Sequence, residues 1–193
     1  GQRNCTFSFQ PHPTHPPLRS AMRRQDLLAE AVLLTKPLVA RLLTGFDDSN
    51  ATRQAANLPN HAAWCLGHMS FVMNRLAEKL DGRGFDDTQF NPGPKGDARR
   101  FGIESVAVRS EPVQDATIYP TLARCTEIFD AACDRVATGA ANASDATLDQ
   151  FVPWGTIEAP LWTLVMRMPF HNGLHAGQIA DMRRGQGMKR LFS

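Results

Sequence analysis

The chain is expected to fold as an all-α four-helix bundle with a long crossover between helices two and three. Three observations predict this. Four segments repeat apolar residues at the 3-4 spacing of an amphipathic helix. Strand patterns are scarce. One connector, about 81–118, is far longer than most links inside a compact domain, and a crossover between two helices that run the same way accounts for it.

Residues 1–19 stand apart as a proline-rich arm, and residues 20–193 form the bundle domain. The run FQPHPTHPP cannot be helical in its interior. The arm lacks the apolar segment of a secretory signal. Its histidines, His12 and His15, read as part of an extended segment. Gly1 is a candidate tag remnant, and Met22 a candidate biological start.

The first helix is expected over about 19–44, with Leu27, Ala31, Leu34, Leu38 and Leu42 as its stripe. Pro37 should kink or split it, and Gly45 should stop it. The second begins near Pro59, with Asn57 or Asn60 near its cap, and runs to about Leu80. Its stripe is Trp64, Cys65, His68, Val72 and Leu76, and the Asp81-Gly82 pair ends it. The connector that follows contains FNPGPKGDARRFG, with a short strand at Val106–Arg109. The third helix spans about 119–138, with Leu122, Cys125, Phe129, Ala132 and Val136 along one seam. A second irregular stretch includes FVPWGTIEAP, and this stretch is expected at the mouth of the site. The fourth helix spans about 160–184. Leu161, Leu164, Met168, His171, His175, Gln178 and Met182 mark its seam, Pro169 should bend it, and Gly185 and Gly187 terminate it.

Composition narrows the function. A chain of 193 residues with 42% hydrophobic content can bury one real core. The formal net charge is only +2, and the basic pairs are scattered, so no nucleic-acid stripe is present. No apolar run reaches the length of a membrane span, so a soluble protein is expected. None of the four cysteines forms a CxxC pair, and Cys65, Cys125 and Cys133 fall on helical core stripes. That pattern reads as a reduced, cytoplasmic protein.

His171 and His175 carry the chemistry. Two histidines four apart lie on one helical face, roughly 6 Å apart along the axis. A single histidine on an apolar face is more often a hydrogen-bonded core residue. A pair is harder to explain that way, because each buried imidazole needs a polar partner. His68 adds a third on the stripe of another helix. Three imidazoles can hold a metal ion and leave coordination positions open for water and substrate. His61 competes, but it lies roughly 10 Å from His68 along the axis and at a helix start, where capping or exposure fits better. Cys65, one turn from His68, reads as a packing residue that could line the pocket. Trp64, Trp154 and Gln178 are further candidates for the pocket lining, with Trp154 expected closest to the metal. Trp64 and Trp154 are equally explained as core aromatics. Glu158 and Asp181 are the nearest acids in sequence, and Asp181 reads as a surface ion-pair residue. No nucleophile elbow, phosphate loop, HExxH or dinucleotide fingerprint appears, and no general base stands out.

WCLGHMS, followed far downstream by HNGLHAGQIADMRRGQG, resembles the DinB-like superfamily of metalloenzymes. The resemblance covers about 20–190. It implies an up-down-down-up bundle, with His68 as the first metal ligand and His171 and His175 as the second and third. It also implies a divalent metal, zinc or nickel, and in some relatives a low-molecular-weight thiol as cosubstrate of a transferase or isomerase. The family name refers to induction by DNA damage, which does not imply DNA binding. A homodimer is implied as well, and Phe46, Phe85 and Phe90 are apolar residues near helix ends or in loops that could serve it. The leading expectation is a metal-dependent enzyme, a thiol-dependent transferase or a hydrolase, acting on a small molecule through a metal-activated thiol or water. The alternative is a non-catalytic, stress-related metal-binding protein.

Overall fold

Pro37 has no N–H for the carbonyl one turn earlier, and its ring crowds that carbonyl. In the computed structural model, which describes residues 21–84 and 110–191, the first helix accordingly splits at Leu34 into α1 (Arg24–Leu33) and α2 (Thr35–Leu42). The buried stripe is Leu28, Val32, Thr35, Val39 and Leu42. This corrects the expected register. Leu27 and Leu34 are 51% and 61% exposed, and Leu38 is also exposed. Leucines lie at helical spacing on both faces, so periodicity alone could not choose between them. The inner face admits a polar residue because the Thr35 hydroxyl donates to the Val32 carbonyl at 2.7 Å.

Helix α3 spans Ala62–Asp81. Its cap is His61, the capping alternative expected for that residue and next to Asn60: His61 Nδ1 accepts from the Trp64 N–H at 3.1 Å. Asn57 instead sits at a left-handed φ of 62°, and Asn60 donates to Gln178 Oε1 at 2.9 Å. Gly82, at φ 67°, closes the helix with its N–H on the Glu78 carbonyl. After the connector come α4 (Leu122–Asn142), a short α5 (Asp145–Asp149), strands β1 (Phe151–Trp154) and β2 (Ile157–Pro160), and α6 (Leu161–Gly185). Helix α6 runs through Pro169 without interruption.

Cross-helix pairs give the directions. Met73 meets Cys133, and Leu80 meets Gly139, so α3 and α4 run the same way. Thr35 meets Asn172, and the Leu42 carbonyl meets Arg183, so the α1/α2 segment runs with α6. Asn60 meets Gln178, and Met73 meets Asn172, so α3 and α6 are antiparallel. Glycine is required at one crossing: a Cβ on Gly139 would lie 2.9 Å from Leu80 Cβ. The two ends of the connector sit at opposite ends of α3. Gly82 caps its C-terminus, while the Val113 carbonyl and the Ser110 hydroxyl contact His61 and Trp64 at its N-terminus. Residues 85–109, including the expected strand at Val106–Arg109, lie outside the described residues, as does the arm.

The expected irregular stretch FVPWGTIEAP is a two-stranded antiparallel hairpin, with Phe151 opposite Pro160 and Trp154 opposite Ile157. Its two-residue loop begins with Gly155 at φ 61°, a conformation open to glycine and the usual requirement of tight hairpins. Phe46 is a core residue at 8% exposure, so it is not available to an interface. Phe85 and Phe90 lie outside the described residues. Cys65, Cys125 and Cys133 are buried. Among the described residues, no helix is long and apolar enough to cross a membrane.

Candidate metal centre

Helices α3 and α6, antiparallel and in contact, place one histidine stripe against another. His68 projects from the middle of α3, and His171 and His175 project from successive turns of α6. Each offers one ligand atom, and these atoms lie within 4.8 Å of one another. A point central to even the widest such triangle lies about 2.8 Å from each atom, roughly 0.7 Å beyond a zinc–imidazole bond. Small ring rotations close that gap. The ring centroids are 5.3 Å (His68–His171), 5.0 Å (His68–His175) and 4.8 Å (His171–His175) apart.

The surroundings favour neutral rings. Burial, with charge on His175 and His68 adding to it, pushes the pKa of His171 down to about 4. Burial also lowers that of His175, against the Gln178 hydrogen bond. Neutral imidazoles keep a lone pair free for an ion at neutral pH. His171 Nδ1 is buried and, among the described residues, has no hydrogen-bond partner. A buried nitrogen in that state costs free energy unless something binds it, and a divalent cation does. The donor set fits borderline ions such as zinc or nickel.

The supporting residues fix the rings. His175 Nδ1 lies 2.9 Å from Gln178 Oε1, an acceptor, which assigns the proton to Nδ1 and leaves Nε2 as the ligand atom. Trp64 stacks on His68 with centroids 4.7 Å apart and planes 6° from parallel. The Trp64 indole N–H donates to Ser110 at 2.9 Å. Cys65 is fully buried, burial raises its thiol pKa, and its Sγ contacts Gln178 Oε1 at 3.7 Å. It stands behind Gln178 as a packing thiol.

The site opens into a cavity of about 500 Å³. His68 and His171 form its inner wall, Phe71, Val72, Arg75, Glu78 and Lys79 extend it along α3, Arg167 adds to it from α6, and Pro153, Trp154 and Gly155 of the hairpin complete it. Trp154 therefore shares a cavity with two of the histidines. Trp64, Cys65 and Gln178 are not in its lining; they hold the rings from behind. His61 is buried at the cap, with Nε2 3.0 Å from the Val113 carbonyl, and takes no part in the cluster. Asp181 pairs with Arg184, and Glu158 is an exposed residue of β2. Sequence reasoning missed Arg75, Lys79 and Arg167. The 3-4 spacing of His68, Val72, Arg75 and Lys79, and of Arg167, His171 and His175, places them on the histidine faces once the facing helix is known.

Residues 34–179 match the model of the protein family described as the DinB superfamily. No curated protein and no solved structure gives a significant match.

Proposed function

Because the chain belongs to the DinB superfamily, we propose that His68, His171 and His175 hold one divalent ion, zinc or nickel, in a metal-dependent enzyme acting on a small molecule as a thiol-dependent transferase or a hydrolase. The observation that carries the reading is the convergence of three imidazoles, two of which, His68 and His171, line a cavity. When bound, the ion supplies a Lewis acid that lowers the pKa of a low-molecular-weight thiol or a water. The chain does the rest. Burial keeps the His171 and His175 imidazoles unprotonated, Gln178 sets the tautomer of His175, and Trp64 stacks on His68. Phe71 and Trp154 supply apolar wall. Glu78 is the sole carboxylate of that wall among the described residues. It lies ten residues beyond His68, roughly 15 Å along the helix, too far to take a proton at the histidines.

Metal analysis of the native protein, followed by turnover assays with several thiols and ester substrates, tests this reading. The wild-type chain is expected to hold one equivalent of metal. His171→Ala should lose the metal and any metal-dependent turnover while its helical circular dichroism persists, since the seam supplies most of the stability. Metal retained at full affinity in His171→Ala would refute the site. Tight metal binding without turnover on any thiol or ester would favour a non-catalytic metal-binding protein.

A further inference from the structure

Among the described residues, the cavity beside the histidines carries more positive than negative charge. Arg75, Lys79 and Arg167 line it against one described carboxylate, Glu78. Glu78 is already engaged by Arg75 at 3.3 Å, and the Arg75 guanidinium also lies over the Phe71 ring at 5.5 Å. Among the described residues, neither Lys79 nor Arg167 forms an ion pair. Because α3 and α6 are antiparallel, all three cations lie on the same side of the histidines, toward the hairpin. Arg167 is one turn from His171, about 6 Å along the axis; Arg75 is roughly 10 Å and Lys79 roughly 16 Å from His68. Between them the wall is apolar, built by Phe71, Val72, Pro153 and Trp154.

From this arrangement we infer that the molecule taken into the cavity is an organic carboxylate, its anionic end received by Arg167 with Lys79 at the mouth, and an apolar segment separating that end from the atom that meets the histidines. The separation is on the order of 6–10 Å, a chain of about four to six bonds or one aryl ring. A carboxylate fits better than a phosphate ester. Phosphate sites commonly draw on backbone N–H groups at a helix N-terminus or a glycine-rich nest, whereas here the positive charge comes from side chains on two helix faces. Arg167 and Lys79 are binding residues in this scheme, and the field they add attracts anions to the mouth.

The identity of the far end rests on the proposed metal site, but the anion site does not, so each is measured separately. In metal-free full-length protein, 4-phenylbutyrate and its neutral counterpart 4-phenylbutanol are titrated while the Trp154 indole resonance is followed. In cobalt-loaded protein, 4-mercaptobutyrate, 4-mercaptobutyramide and 3-mercaptopropylphosphonate are titrated on the thiolate-to-cobalt charge-transfer band. Each carboxylate should bind about tenfold tighter than its neutral partner, and less so as salt rises. Arg167→Gln should remove the preference, and Lys79→Gln should reduce it. Equal affinity for acid and neutral partner, or a preference intact in Arg167→Gln, overturns the anion site. A phosphonate bound tenfold tighter than the carboxylate overturns the choice of carboxylate. Failure of cobalt to bind while phenylbutyrate keeps its advantage defeats the metal reading and upholds the anion site.

Discussion

Gln178 Oε1 gathers three contacts: His175 Nδ1 and Asn60 Nδ2, each at 2.9 Å, and Cys65 Sγ at 3.7 Å. One side chain thus ties a ligand ring to the start of α3. Partners of this kind typically govern metal affinity by about 10–100-fold. Gln178→Leu should weaken zinc binding by that factor in a chelator competition titration, and Gln178→Glu, which keeps the acceptor, should restore most of it. Unchanged affinity in Gln178→Leu would show that the ring needs no such support. His61 makes a separate prediction about pH. Burial pushes its pKa down to about 4 from an ordinary 6.5. The unfolded chain therefore binds more protons between these values, so the contribution is fully present above about pH 6.5 and is lost as pH falls toward about 4. The loss is on the order of 3 kcal/mol. Thermal melts of metal-free protein between pH 7 and pH 4.5 should decline, and His61→Asn, which retains a capping oxygen, should flatten part of that decline. Parallel curves for the two proteins would remove His61 as a source.

Helices α3 and α4 are held in register by Arg135. Its guanidinium makes two hydrogen bonds to Asp81, at 2.9 and 3.1 Å, and a third to Asn74 Oδ1 at 2.9 Å. Burial alone would raise the Asp81 pKa, but the bonds from Arg135 and Arg83 outweigh it and hold the carboxyl down at about 2. Both partners of the pair are about 15% exposed or less. Removing one side of so sheltered a pair leaves the other poorly compensated. Arg135→Ala should cost about 2–3 kcal/mol in urea unfolding, with the metal site retained because the histidines lie on the α3–α6 seam. A cost below ~0.5 kcal/mol would class the pair with ordinary surface bridges. At this scale the sequence was largely legible. The expected helices two, three and four agree with α3, α4 and α6 apart from their ends, and their seams are inside. The hairpin was not read, because Pro153 and Pro160 obscure the strand pattern and a two-stranded ribbon shows little alternation.

For the molecule as a whole, the apolar side chains left outside are informative. Leu27, Leu34 and Leu38 face outward from α1 and α2, and Phe170 and Leu174 from α6, at 74% and 64% exposure for the last two. These helices pack together through Thr35 and Asn172. Outward apolar groups on adjoining helices are what a second copy of the chain would cover. Light scattering at micromolar concentration is expected to give about twice the 21.3 kDa chain mass. Phe170→Asp with Leu174→Glu should return it to the single-chain value. A wild-type mass near one chain would contradict the dimer.

Read alone, the sequence determined where the helices lie, where Pro37 breaks the first of them, and that His68, His171 and His175 sit on seams rather than on outer faces. These are properties of local spacing, and 3.6-residue periodicity records them directly. Tertiary structure alone decided the rest. It chose between the leucine faces of α1 and α2, because burial depends on the neighbouring helix and not on the helix itself. It decided between capping and exposure for His61, burying it at the α3 cap against the Val113 carbonyl and the Tyr119 ring. It turned Gln178 from a wall residue into the anchor of His175, and set Arg167 across from Arg75 and Lys79. Each of these pairings joins residues far apart in the chain, and spacing along one helix holds no record of the helix that will face it.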